Sequence, residues 1–212
     1  MRYLNTTMSG LVLLVLSGAA HAASPHHIHI AVSHTGQAIK WYEENFDCTA
    51  IEGRTKAIEC GGMEIEFLAN ATLGGSLGTG VNHIAFSYAD VSARMVELEQ
   101  VGVRGSGVRL QRFPGGELVQ DIPGAYKHAF VFDPWGTRIE LVEDPAATGF
   151  HHIHLNSADP SAALDWYAEV LGGERADHHG TTGLRFGSVW VFVDGYAEGR
   201  PASTQERAID HL

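Results

Sequence analysis

The chain has 212 residues, 44% hydrophobic and 18% charged, enough to bury one large core or two small ones. A formal net charge of −11 excludes nucleic acid and anionic membrane surfaces as the main partner, since both need basic patches. There are 13 histidines, and their clustering turns attention to metal chemistry.

Residues 1–22 are expected to be a signal peptide. Arg2 gives a thin positive start, Leu11-Val12-Leu13-Leu14-Val15-Leu16 a short apolar core, and Ala20-His21-Ala22 a small-x-small cleavage site. The apolar run is too short to span a bilayer, so no integral span is expected after cleavage. The protein is then exported, periplasmic or secreted, into an oxidising compartment.

A first module is expected over 26–72. Ile28, Ile30 and Val32 alternate as in a strand, a helix follows over 37–46, and strands are expected over 49–52, 57–60 and 64–68. Cys48 and Cys60 flank Gly53-Arg54, a hairpin turn; they form either a cross-strand disulfide or two buried thiols.

A second module is expected over 81–146. Ile84, Phe86 and Tyr88 alternate, and a helix over 91–101 stops at Gly102. Strands over 130–132 and 138–143 enclose the tight turn Asp133-Pro134-Trp135-Gly136. Phe113-Pro114-Gly115-Gly116 and Ile122-Pro123-Gly124 read as loops. A third module begins near residue 150, its helix over 161–171 opened by Asp159-Pro160 and stopped by Gly172. A fourth shows only its opening residues, Ile209 to Leu212.

The modules are copies. His26-His27-Ile28-His29-Ile30 recurs as His151-His152-Ile153-His154-Leu155, and Trp41-Tyr42 recurs as Trp166-Tyr167, both displaced by 125 positions. Val81-Asn82-His83-Ile84 and Ile209-Asp210-His211-Leu212 are weaker copies of the same strand. The fold class expected is α+β: repeated βαβββ modules that pair into curved-sheet cups. Modules 26–72 and 81–146 form a first domain over 26–146, and residues 150–212 form a second, truncated domain.

Metal ligands are sought where strands converge. His27 and His83 open the first strands of their modules, while Glu66 and Glu140 lie on the closing strands. Two imidazoles and two carboxylates suit a borderline divalent cation, Ni, Zn, Mn or Fe. Glu64 shares the strand face of Glu66 and is an alternative to it. His29 and His154, two residues past the ligands, are expected in the substrate cavity. His26 and His151 are expected to point away, and the Trp-Tyr pairs to be helix-to-sheet core. His152 and His211 make a second, incomplete site, because the run Ser188-Val189-Trp190-Val191-Phe192-Val193 has no counterpart to Glu66.

The runs at His27, at Val81 to Phe86, and above all Asp133-Pro134-Trp135-Gly136-Thr137-Arg138-Ile139-Glu140-Leu141 resemble the vicinal oxygen chelate superfamily, that of glyoxalase, bleomycin resistance proteins and extradiol dioxygenases. The resemblance implies ligands at His27, His83 and Glu140, with Glu66 the fourth. It implies a metal-dependent lyase or isomerase acting on a small vicinal-oxygen substrate, with Glu140 or Glu66 as general base. As alternatives it accommodates an extradiol-type dioxygenase with iron at His152 and His211, or a non-enzymatic antibiotic-binding cup. Homodimers are a further expectation.

Overall fold

The structure, a computed structural model, describes residues 23–70 and 74–212. The expected signal peptide lies outside the described residues. No helix among the described residues is long and apolar enough to cross a membrane.

The first module is β1 (His27–Val32), α1 (Thr35–Asn45), β2 (Thr49–Ala50), β3 (Ala57–Cys60) and β4 (Met63–Ala69). The second is β5 (Val81–Tyr88), α2 (Val91–Val103), β6 (Arg109–Gln111), β7 (Val119–Asp121), β8 (Lys127–Phe132) and β9 (Arg138–Glu143). The third is β10 (Gly149–Ser157), α3 (Pro160–Leu171), β11 (Glu174–His178), β12 (Thr181–Phe186) and β13 (Val189–Gly195). The fourth supplies β14 (Ile209–His211).

Local chemistry accounts for most of these boundaries. Asp90 and Asp159 cap α2 and α3, their carboxylates accepting from the Ala93 and Ala162 amides at 2.9 and 3.0 Å. Gly172 closes α3 in the left-handed conformation, φ 75°. The expected stop at Gly102 is not where α2 ends. The helix runs on to Val103, and the chain turns at Arg104 and Gly105, where Gly105 takes φ 87°. Cys48 and Cys60 are joined in a disulfide, their Cα atoms 4.3 Å apart.

The modules pair in an order different from their succession in the chain. A nine-stranded sheet joins the second and third through β5 and β10, which run antiparallel with Ile84 opposite Ile153 and His83 opposite His154. A five-stranded sheet joins the first to the fourth, β1 pairing with β14 through His29 opposite His211. A boundary near residue 150, between the expected domains 26–146 and 150–212, falls inside the nine-stranded sheet, between β5 and β10. Strand edges decide this. β5 is hydrogen-bonded to β9 on one side, and its other edge is satisfied by β10.

Modules one and two share an apolar core instead of a sheet. Phe46 packs on Phe86 with ring centroids 5.2 Å apart, and the buried Tyr42 hydroxyl donates to Asp133 Oδ2 at 3.0 Å. Trp41 is 7% exposed there, whereas its repeat counterpart Trp166 is 54% exposed. The expectation that both Trp-Tyr pairs are core thus holds for α1 and fails for Trp166. α1 is covered by Trp135 and Ser106 of module two, and no equivalent covers Trp166 among the described residues. A cavity of about 720 Å³ lies beside Trp166 and Tyr167, lined by Ile153, Leu155, Val191 and Val193. By strand alternation that is the opposite face from His152 and His154.

Candidate metal centre

The junction of β5 and β10 gathers the histidines. His83 and His152 both direct Nε2 at Glu140 Oε2, at 2.9 and 3.0 Å, and the two Nε2 atoms are 3.4 Å apart. His154 adds a fourth donor, the four ligand atoms all lying within 4.8 Å of one another. His83, Glu140 and His152 are buried.

Register explains why these residues meet. Glu140 stands opposite Ala85 on β9, as Glu66 stands opposite His29 on β4. The equivalent of Glu140 in module three is Phe192, opposite His154. In place of the absent acid noted in the sequence stands an apolar ring set edge-to-face against His152, centroids 5.0 Å apart. His154 fills the gap from the neighbouring strand, and its Nε2 lies 3.0 Å from Asp194 Oδ2 without the alignment of a hydrogen bond.

Surrounding groups fix the donors. Asn82 Oδ1 lies 2.8 Å from His83 Nδ1 and also accepts from the Arg138 guanidinium at 2.8 Å. With a cation bound, the acceptor at Nδ1 would hold the imidazole proton there and leave the Nε2 lone pair for the ion. His128 Nδ1 holds the other carboxylate oxygen, Glu140 Oε1, at 2.6 Å, and Gln120 Oε1 lies 3.1 Å from His128 Nε2. The Arg138 guanidinium sits over the Phe130 ring at 3.5 Å.

Protonation suits a cation. Burial pushes His83 down to about 3, only partly offset by Glu140. Burial also lowers His152. For Glu140, burial acts upward, but hydrogen bonds from His128, His152 and His83 outweigh it and hold the carboxyl well below the usual range. Neutral imidazoles around an ionised carboxylate are the state that binds a divalent metal. The donor set therefore fits one: two buried imidazole Nε2 atoms and one oxygen of an ionised carboxylate converge, each within 3.4 Å of the others.

The sequence-derived four-ligand set is not brought together. His83 and Glu140 are in this group, while His27 and Glu66 form another with His29. The pair His152 and His211 is likewise divided: His152 joins His83, and His211 packs on His29 with centroids 4.1 Å apart. The cause is the pairing of module two with three and one with four. Arg54 binds Glu64 at 2.6 Å and reaches Glu66 at 3.4 Å, so a guanidinium already balances the acids of the outer group. Sequence reasoning missed His128 and Asp194. His128 lies on β8 two residues before Phe130, the residue opposite Glu140, and so shares its face, a relation alternation could have shown. Asp194 has no repeat counterpart to announce it.

A family model described as the Glyoxalase/Bleomycin resistance protein/Dioxygenase superfamily matches residues 24–141. The chain belongs to that superfamily. Among solved structures it is similar to a mutant of glyoxalase I from Zea mays, TM-score 0.62 at 18% identity, covering 84% of this chain and 69% of that one. It is also similar to the unmutated Zea mays glyoxalase I, TM-score 0.54 at 19% identity, covering 80% of this chain and 65% of that one. At these identities the likeness establishes the fold, and the chain spans about two thirds of the length of those proteins. No curated protein matches the chain.

Proposed function

We propose that this chain is a divalent-metal-dependent enzyme of the glyoxalase-like lyase or isomerase kind, acting on a small substrate with two neighbouring oxygens. The observation that carries the reading is the convergence of His83 Nε2 and His152 Nε2 on one oxygen of Glu140. These three residues hold the cation, which when bound supplies polarisation of the substrate oxygens.

Glu140 serves as a ligand and not as the general base. Both its oxygens are engaged, and its hydrogen bonds keep it ionised. Glu66 sits in the outer group. The residues placed to move a proton are His154 and Asp194: the His154 ring lies 4.5 Å from that of His83, and the Asp194 side chain is largely exposed. His154 takes the substrate proton at Nε2, and Asp194 stabilises the imidazolium that results.

A dioxygenase reading is favoured by one observation, that two histidines and one carboxylate are the set used by non-haem iron. One experiment separates the readings. The purified full chain is loaded with Ni, Zn, Mn or Fe, its metal content measured, and turnover of hydroxy- and keto-carbonyl substrates followed without oxygen. His83→Ala is expected to lose one bound metal per chain together with turnover, and His154→Ala to keep its metal content and lose turnover. Oxygen uptake with catechols on the iron form alone would select the dioxygenase. Absence of bound metal after reconstitution would overturn both readings and leave a binding cup.

A further inference from the structure

Strict alternation along β10 would turn His151 away from His152. Instead the register shifts between Phe150 and His152, a β-bulge that leaves His151 without an opposite residue on β5. Its ring comes beside His152, Nδ1 to Nδ1 at 2.8 Å. The other nitrogen, His151 Nε2, is buried and has no hydrogen-bond partner, in a residue only 2% exposed. It faces Asp144 Oδ2 at 3.6 Å.

β11 brings a second imidazole to the same oxygen. His178 Nε2 is also buried and unpartnered, and lies 4.0 Å from Asp144 Oδ2. Asp144 is held to present that oxygen: its Oδ1 accepts from the Ala146 amide at 3.0 Å, and its backbone carbonyl and amide both pair with the Ser87 hydroxyl, at 2.8 and 3.1 Å. Trp190 and Tyr126 flank His178, with centroids 5.0 and 6.1 Å away. Interior donors left without partners are costly, and two of them aimed at one carboxylate oxygen call for something between. An ion bound at about 2.0–2.2 Å holds its ligand atoms roughly 3–4 Å apart, which these spacings match.

We propose that Asp144, His151 and His178 form a second binding site for a borderline divalent cation such as zinc, adjoining the first and sharing no ligand with it. Two imidazoles and one carboxylate leave a coordination position open to water or to a ligand oxygen. The site touches the first only through the His151–His152 contact, so it stands whether or not the first site works as proposed.

Zinc binding to the full chain, by equilibrium dialysis with elemental analysis, tests the assignment. His178→Ala and Asp144→Asn are each expected to bind one zinc fewer than the parent. The same loss is expected when either is added to a His83→Ala, Glu140→Gln chain, which isolates the second site from the first. Zinc content equal to the parent in folded His178→Ala and Asp144→Asn would overturn the proposal. Circular dichroism establishes folding, and if His178→Ala is unfolded the near-isosteric Asp144→Asn decides. Failure of the first site reads differently, as zinc content unchanged by His83→Ala, Glu140→Gln.

Discussion

Replacing Asp133 by Asn should change how stability depends on pH more than it changes the fold. Asp133 is fully buried in the turn that leads into β9, its Oδ1 accepting from the Trp135 and Thr137 amides at 2.9 and 2.7 Å. Burial raises its carboxyl from 3.8 to about 6, against the opposing hydrogen bonds from Thr137, Tyr42 and Trp135. Between those values the native protein keeps a proton that the unfolded chain has lost. Stability therefore falls as pH rises through that window and is recovered on acidification. A shift of about two units corresponds to about 3 kcal/mol. An Asn side chain can keep both amide contacts through its oxygen and has no charge to bury. The stability of Asp133→Asn relative to wild type should thus increase by about 3 kcal/mol from pH 3 to pH 7. Urea unfolding at a series of pH values, with chelator present, measures this difference. A difference that stays flat across that range would refute the reasoning, because burial would then not be loading the carboxyl.

Two further outcomes follow from the site and the core. Asn82→Ala removes the group that orients His83 without removing a ligand, and should weaken metal binding at the first site roughly 10- to 100-fold in a competition titration. Equal affinity would mean that Asn82 does not set the tautomer. Trp41→Ala should cost about 3–5 kcal/mol in denaturant unfolding, while Trp166→Ala, at the repeat-equivalent but half-exposed position, should cost well under half of that. Similar losses at both would show that α3 is covered in solution as α1 is.

Much of the architecture was legible because it is local. Alternation at Ile28, Ile30 and Val32 marks β1, the Asp159-Pro160 signal opens α3, and Gly172 closes it. The matched placing of His27, His83 and His152 was visible as a repeat, each standing near the start of the first strand of its module. Their grouping was not legible, since copies that resemble one another give no preference for which neighbour each strand edge will pair with. That choice follows from the hydrogen bonding of β5 to β10 and of β1 to β14, contacts between distant segments. The bulge at His151 escaped for a related reason: period-two reasoning assumes an unbroken ladder, and one extra residue reverses the face on which a side chain falls.

The pairing of β1 with β14 also sets the order in which the chain can fold. Ile30 finds its partner Ile209 only after every strand of the nine-stranded sheet has been made, whereas Ile84 and Ile153 lie less than half as far apart in sequence. Contacts of high sequence separation form slowly, so the nine-stranded sheet and its metal centre can assemble first. Until β14 arrives, β1 presents an unpaired edge bearing His29, a template for misassembly with other strands. A partner or chaperone that shields an open strand edge would act at that stage, on the first-made sheet and the last to be completed.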